Sequence, residues 1–231
     1  WHPRHFFNDP ARTATREEVL ASGRPVVLFV DTFNGYFESV NARAAVQVLQ
    51  AGGYTVHVAV KTQADGKALC CGRTYLAAGQ VEEARAKAGE LLAALQPFVD
   101  RGIAIVGLEP SCLLTLRDEF TAMGFGERAE QVARQALLLE EFLAREAAAG
   151  RLEALKARLK PMDKPLLVHG HCHQKAFDAV SPVLQVLKLI PGANPRLIET
   201  SCCGMAGSFG YEASHHEVSM QMAELSLLPA V

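Results

Sequence analysis

The chain has 231 residues, 49% of them hydrophobic and 21% charged, which excludes intrinsic disorder and suffices for one large domain or two modest ones. Its 23 Lys and Arg against 25 Asp and Glu leave a net charge of −2, so no global basic field draws nucleic acid and no polybasic footprint draws a membrane. The longest aliphatic runs fall far short of a bilayer span and no secretory signal opens the chain, which gives a cytoplasmic expectation. The first residue is Trp1, so the sequence reads as a piece of something longer.

In chain order, residues 1–24 read as an N-terminal linker or extension. Pro25-Val26-Val27-Leu28-Phe29-Val30 is a fully buried strand by its unbroken apolar run. It is followed by the polar Asp31-Thr32 and then a helix in which Val40, Ala44, Ala45, Val48 and Leu49 recur at helical spacing. Gly52-Gly53 stop that helix, and Thr55–Val60 form a second strand. Cys70-Cys71-Gly72 comes next, then an amphipathic helix with Val81, Ala84, Ala88, Leu91 and Leu95 on one face. A third strand, Ile103–Leu108, ends in Glu109-Pro110-Ser111-Cys112. This alternation predicts an α/β fold with a mostly parallel sheet, whose ligands gather at the carboxyl ends of strands. Residues 127–160, rich in Ala, Leu, Glu and Arg, read as a helical connector.

The order then repeats. Pro165-Leu166-Leu167-Val168 is a strand, followed by His169-Gly170-His171-Cys172-His173, by a weaker helix over Val180, Val183, Leu184, Leu187 and Leu189, and by a strand at Arg196–Thr200. A second Cys-Cys-Gly, Cys202-Cys203-Gly204, closes it. Duplication is the economical explanation. It divides the chain into 25–126, the connector 127–160, and 161–231.

Six cysteines are too sparse for a disulfide scaffold. Vicinal cysteines rarely bridge one another, and a following glycine permits positive φ and close backbone approach. Two buried pairs of small apolar residues would be the simpler account, but the same tripeptide occurring twice points to metal or cluster ligation. In an extended segment His169, His171 and His173 would share one side and Cys172 the other, unless the chain turns there. His215-His216, on a helix, read as surface residues or as residues that support a ligand from behind.

At His169-Gly170-His171-Cys172-His173-Gln174-Lys175 and Ser201-Cys202-Cys203-Gly204-Met205-Ala206-Gly207-Ser208-Phe209-Gly210-Tyr211-Glu212 the sequence resembles the cysteine-rich CCG domain of Fe–S oxidoreductases. That domain is shared by heterodisulfide reductase B subunits, glycolate oxidase iron–sulfur subunits and large FAD-linked oxidases. The resemblance implies two pseudo-symmetric Rossmann-like halves with parallel sheets, joined by the helical connector. It implies a role in electron transfer from flavin to an acceptor within a flavin-linked oxidoreductase acting on a small D-2-hydroxyacid, with an Fe–S cluster or zinc bound here and FAD elsewhere. The partners it implies are flavin and ferredoxin-like domains of the same chain or complex, a quinone or other acceptor, and a seat that is cytoplasmic or peripheral at the inner membrane face. No flavin-binding glycine motif and no four-cysteine ferredoxin run occurs in this stretch, so it is expected to be inert alone toward a hydroxyacid.

Carried over position by position, the family pattern keeps Cys172, Cys202 and Cys203 in the second repeat, with His171 the nearest further ligand. In the first it keeps Cys70, Cys71 and Cys112, with Glu109 in place of a cysteine and Asp31-Thr32 where another would stand. Three thiolates and a carboxylate suit a borderline or harder metal than a full cluster, and Arg73 is the nearest cation in sequence to hold Glu109. A structural zinc or docking module is the alternative function. The first repeat's spacing, carried on from Cys203, points past Val231, so a further strand and cysteine are expected there. The open edge would favour a homodimer.

Overall fold

The computed structural model describes residues 6–8, 13–60, 68–207 and 209–231; Trp1 and Ser208 lie outside them. The chain divides into two compact units, residues 1–158 and 159–231. Both are α/β with parallel strands.

The first unit opens with helix α1 (Arg16–Ala21), held by a reciprocal cap in which Thr15 and Glu18 satisfy each other's backbone N–H groups. Its Val19 is wholly buried and the helix packs on the first two strands, so this part of the expected linker belongs to the core. Strand β1 (Pro25–Phe29) is apolar throughout because it is central: it pairs on one side with β2 and on the other with β3. Between β1 and β2 lie a π-type turn (Phe33–Phe37) and helix α2 (Ser39–Ala51). Strand β2 (Thr55–Val58) leads into the first Cys-Cys-Gly loop, a short helix α3 (Arg73–Ala77) and the long α4 (Val81–Val99). Strand β3 (Ile105–Gly107) runs into α5 (Pro110–Arg117), α6 (Glu119–Ala122) and α7 (Glu127–Gln135).

Of residues 127–160, expected to form a helical connector, those up to Arg158 fold with the first unit. Ala136–Leu138 is a strand, β4, that pairs parallel with β3 and completes a sheet of order β2-β1-β3-β4. Helices α8 (Leu139–Ala148) and α9 (Glu153–Lys156) follow it. The apolar face expected of α2 is also rotated. Ala42, Ala45, Val46 and Leu49 are buried while Val40 is 70% exposed, because only the former set falls on a single stripe of a 3.6-residue helix. On α4 the expected face is buried from Ala84 to Leu95, and only Val81 in the first turn stays out.

The second unit pairs β5 (Leu166–Val168) with β6 (Pro195–Leu197) in parallel. Helices α10 (Cys172–Ala176) and α11 (Ser181–Leu187) make the crossover, and α12 (His216–Glu224) follows the second Cys-Cys-Gly. The repeat is visible in the registers: Pro25 faces Thr55 in the first unit and Leu166 faces Pro195 in the second, nearly equal separations. No helix among the described residues is long and apolar enough to cross a membrane.

Candidate metal centre

In a parallel sheet of order β2-β1-β3-β4 the connections leave β1 and β3 in opposite directions, which opens a crevice between their carboxyl ends. Asp31, just past β1, and Glu109, just past β3, stand at that crevice. Asp31 is 1% exposed. Its Oδ1 accepts from the backbone N–H groups of Phe33 (2.9 Å) and Asn34 (3.1 Å), and its Oδ2 from the Asn34 side-chain amide (2.7 Å). Burial pushes the Asp31 carboxyl above the usual carboxylate range, the Asn34 bonds pull it down, and the Glu109 charge adds to the rise. Glu109 caps α5, accepting from the Ser111 N–H (3.2 Å) and hydroxyl (2.6 Å), with Pro110 at the first helical position.

One turn further on, Cys112 is buried on the inner side of α5. The Cys71 thiol lies within hydrogen-bonding reach of both Cys112 and Cys70, so the three sulfurs form a row with Cys71 in the middle. Hydrogen bonding to Cys71 is the first cause that raises the Cys70 thiol above its ordinary value, and bonding to Cys112 does the same for Cys71, which is 2% exposed. Adjacent thiols resist ionising together unless a cation neutralises them. Backbone N–H groups are already aimed at two of the sulfurs, Gly72 at Cys70 Sγ and Arg73 at Cys71 Sγ, each at 3.4 Å. The loop is held by Gly72, whose φ is +81° and whose absent Cβ would lie 2.7 Å from the Ala84 carbonyl oxygen on α4. Arg73 pairs with Glu119 on α6 and not with Glu109.

The second Cys-Cys-Gly loop has the same build. Gly204 has φ of +86° and its N–H reaches Cys202 Sγ at 3.3 Å. A Cβ there would meet the Ser219 carbonyl oxygen on α12 at 2.1 Å, while the Ser219 hydroxyl donates to the Gly204 carbonyl (2.9 Å). Cys203 is half-buried and Cys172 is exposed as the first residue of α10. The chain turns at His171, which caps α10: its Nδ1 accepts from the His173 N–H (3.1 Å), Gln174 returns a bond to the His171 N–H (3.0 Å), and the two imidazoles stack at 5.2 Å. The alternation expected for the three histidines is thereby broken. His169 instead meets the Thr200 hydroxyl through Nδ1 (2.5 Å), and burial lowers its pKa. Lys175 on α10 donates to the Thr200 and Ser201 carbonyls (2.8 and 3.2 Å), tying this helix to the segment that carries Cys202. His215 stacks on Phe209 at 4.1 Å.

Among the described residues no three His, Cys, Asp or Glu side chains are drawn around one point as a metal's ligands would be. The Cys70, Cys71 and Cys112 row is nonetheless suited in donor chemistry to a thiophilic metal or iron–sulfur cluster, three soft sulfurs with N–H donors turned toward two of them. In the second unit α10 is tied to the Cys202 segment through Lys175, and Cys172, His171, Cys202 and Cys203 form no such group of three. Asn34, Ser111, Lys175 and Ser219 hold these sites and were not singled out from sequence; only Ser111, in a Glu-Pro-Ser helix start, had a readable signal.

A family profile described as a cysteine-rich domain, CCG, matches residues 36–117. The C subunit of the anaerobic glycerol-3-phosphate dehydrogenase of Escherichia coli (strain K12) is 25% identical over 198 residues, covering 81% of this chain and 46% of that protein. D-2-hydroxyglutarate dehydrogenase of Pseudomonas putida is 27% identical over 205 residues, 88% of this chain and 18% of that protein. The Escherichia coli (strain K12) D-2-hydroxyglutarate dehydrogenase is 30% identical over 128 residues, 54% of this chain and 12% of that protein. The chain thus spans about half the length of the first relative and a smaller share of the others. No solved structure matches it significantly. Residues 36–117, which hold Cys70-Cys71-Gly72 and Cys112, thus match the cysteine-rich CCG domain.

Proposed function

We propose that the chain is a metal- or iron–sulfur-binding domain of a flavin-linked oxidoreductase that acts on a small D-2-hydroxyacid, and that it takes part in moving electrons from flavin to an acceptor. The observation that carries this reading is the sulfur row Cys70, Cys71 and Cys112, set beside the carboxyl ends of parallel strands in a chain related to dehydrogenase components. Cys70, Cys71 and Cys112 would hold the group of the first unit, with Glu109 and Asp31 beside it. Cys172, Cys202, Cys203 and His171 would hold that of the second. An Fe–S centre, when bound, supplies a one-electron relay whose potential follows its ligands and burial. The chain's own contribution is to position the sulfurs, to stabilise them as thiolates through the Gly72, Arg73 and Gly204 N–H groups, and to shield Cys71 and Cys112 from water. Flavin and substrate would belong to other domains of the same chain or complex, with a quinone among the acceptors that suit it.

The buried Asp31 beside Glu109 favours one second reading, a structural zinc module, because carboxylates near thiolates suit a borderline metal better than a cluster. Anaerobic purification followed by assay of iron, zinc and acid-labile sulfide separates the two. Iron with sulfide, lost in Cys71→Ser and Cys112→Ser, is the expected result. Stoichiometric zinc without sulfide would establish the structural role, and protein that takes up no metal under reconstitution would refute both.

A further inference from the structure

At the other end of the first unit's sheet, the residues leading into β1, β3 and β4 wall a cleft of about 290 Å³. Arg24 and Asp31 bracket β1, so this cleft lies roughly 20 Å from the carboxylates of the cysteine site, at 3.3 Å of rise per strand residue. Its wall carries Arg24, Arg101, Arg134, Arg145 and Arg151 against a single lining carboxylate, Glu146. Glu146 is committed. It takes two bonds from Arg151 (2.6 and 2.7 Å), one from the Tyr54 hydroxyl (2.5 Å) and a longer one from Arg145 (3.3 Å). Arg134 is engaged outside by Glu127 and Glu130.

Arg24 and Arg101 differ from these. Arg24 lies over the Tyr54 ring at 4.2 Å and donates to the Arg151 carbonyl (2.9 Å); Arg101 donates to the Leu20 carbonyl (3.2 Å). Among the described residues neither guanidinium has a carboxylate partner. Each is held in place by a neutral oxygen, in a concave, partly apolar setting that focuses the field on an anion. Tyr54 and Phe142 supply apolar wall, which suits a carbon skeleton better than a bare phosphate.

We propose that this cleft binds a small polycarboxylate, two of its carboxylates taken by Arg24 and Arg101. The site is separate from the cysteine centre, and its test does not depend on metal loading.

Isothermal titration of the purified chain with citrate, tricarballylate and a hexaglutamate peptide reads it out. Tricarballylate keeps the three carboxylates of citrate and lacks its hydroxyl. Citrate and tricarballylate are both expected to bind saturably, and Arg24→Gln or Arg101→Gln to weaken citrate at least about fivefold, with unfolding curves confirming that both variants fold. Added salt should weaken binding further. Amide chemical shifts of the wild-type chain should move around Gln135 and Gly102. No saturable citrate binding, or shifts confined to other residues, would overturn the proposal. Undiminished citrate affinity in both arginine variants would overturn the assignment of its carboxylates to Arg24 and Arg101. Tighter binding of hexaglutamate would replace the small ligand with an acidic protein segment.

Discussion

Gly72 and Gly204 show how much a single hydrogen in place of a side chain can decide. Both sit at positive φ and both press on the backbone of a later helix, so alanine at either position meets a fixed carbonyl as well as an unfavourable dihedral. Gly72→Ala and Gly204→Ala are each expected to cost about 2–3 kcal/mol in urea unfolding. Gly79→Ala, at φ of +74° with open space around the new methyl, should cost only about 1 kcal/mol. Equal losses at all three would mean that dihedral strain alone is at work. The cysteine loops were legible in sequence because the same tripeptide recurs. The partner of Arg73 was not: Ser111 lies two residues from Glu109 in a readable helix start, whereas Arg73 finds Glu119 across a fold that no local pattern encodes.

Among the elements, the Tyr54–Glu146–Arg151 contact joins the turn before β2 to the end of α8. The Arg151 hydrogen bonds, the largest cause, hold the Glu146 carboxyl down at about 2, against an ordinary 4.5. A depressed folded-state pKa gives stability that is complete above about pH 4.5 and lost as pH falls toward 2. Glu146→Gln should therefore cost about 2 kcal/mol at neutral pH, and its unfolding curve should converge with the wild type near pH 2; a pH-independent difference would show that packing, not charge, is responsible. His57 adds a milder effect of the same sign, since burial lowers its pKa and protonation below 6.5 opposes folding. Long elements with clean periodicity, β1 and α4 above all, were readable from the chain. Strand β4 was not, because Ala-Leu-Leu in a run of helix formers carries no strand signal; pairing with Ile105–Gly107 makes it one. The phase of α2 was missed for a related reason: Val40 fits an apolar count but not the stripe.

For the whole molecule, the two units repeat one plan with unequal cores. The first has a four-stranded sheet packed against α1, α2, α5 and α8. The second has two strands of three residues, with Val168, Ala179, Ile198 and Ala223 as its buried apolar residues among those described. A two-stranded sheet of that size is marginal by itself. Residues 1–158 expressed alone should unfold cooperatively in urea, while 159–231 alone should show no sharp transition. A gradual loss of signal in the longer fragment would contradict the first expectation, and a cooperative transition in the shorter one the second.

The place of β1 in the sheet also matters while the protein is being made. The ribosome delivers this most apolar strand first, yet its neighbour β3, which meets Val27 through Ile105, emerges roughly eighty residues later. At about 5–20 residues per second, that is a wait of several seconds with one edge of the central strand open. Strand β2 and helix α1, both complete by Val58, can close the other edge in the meantime. The nascent chain is therefore most exposed to misassociation during translation of α4, and slowing or crowding synthesis at that point is where soluble yield should suffer most.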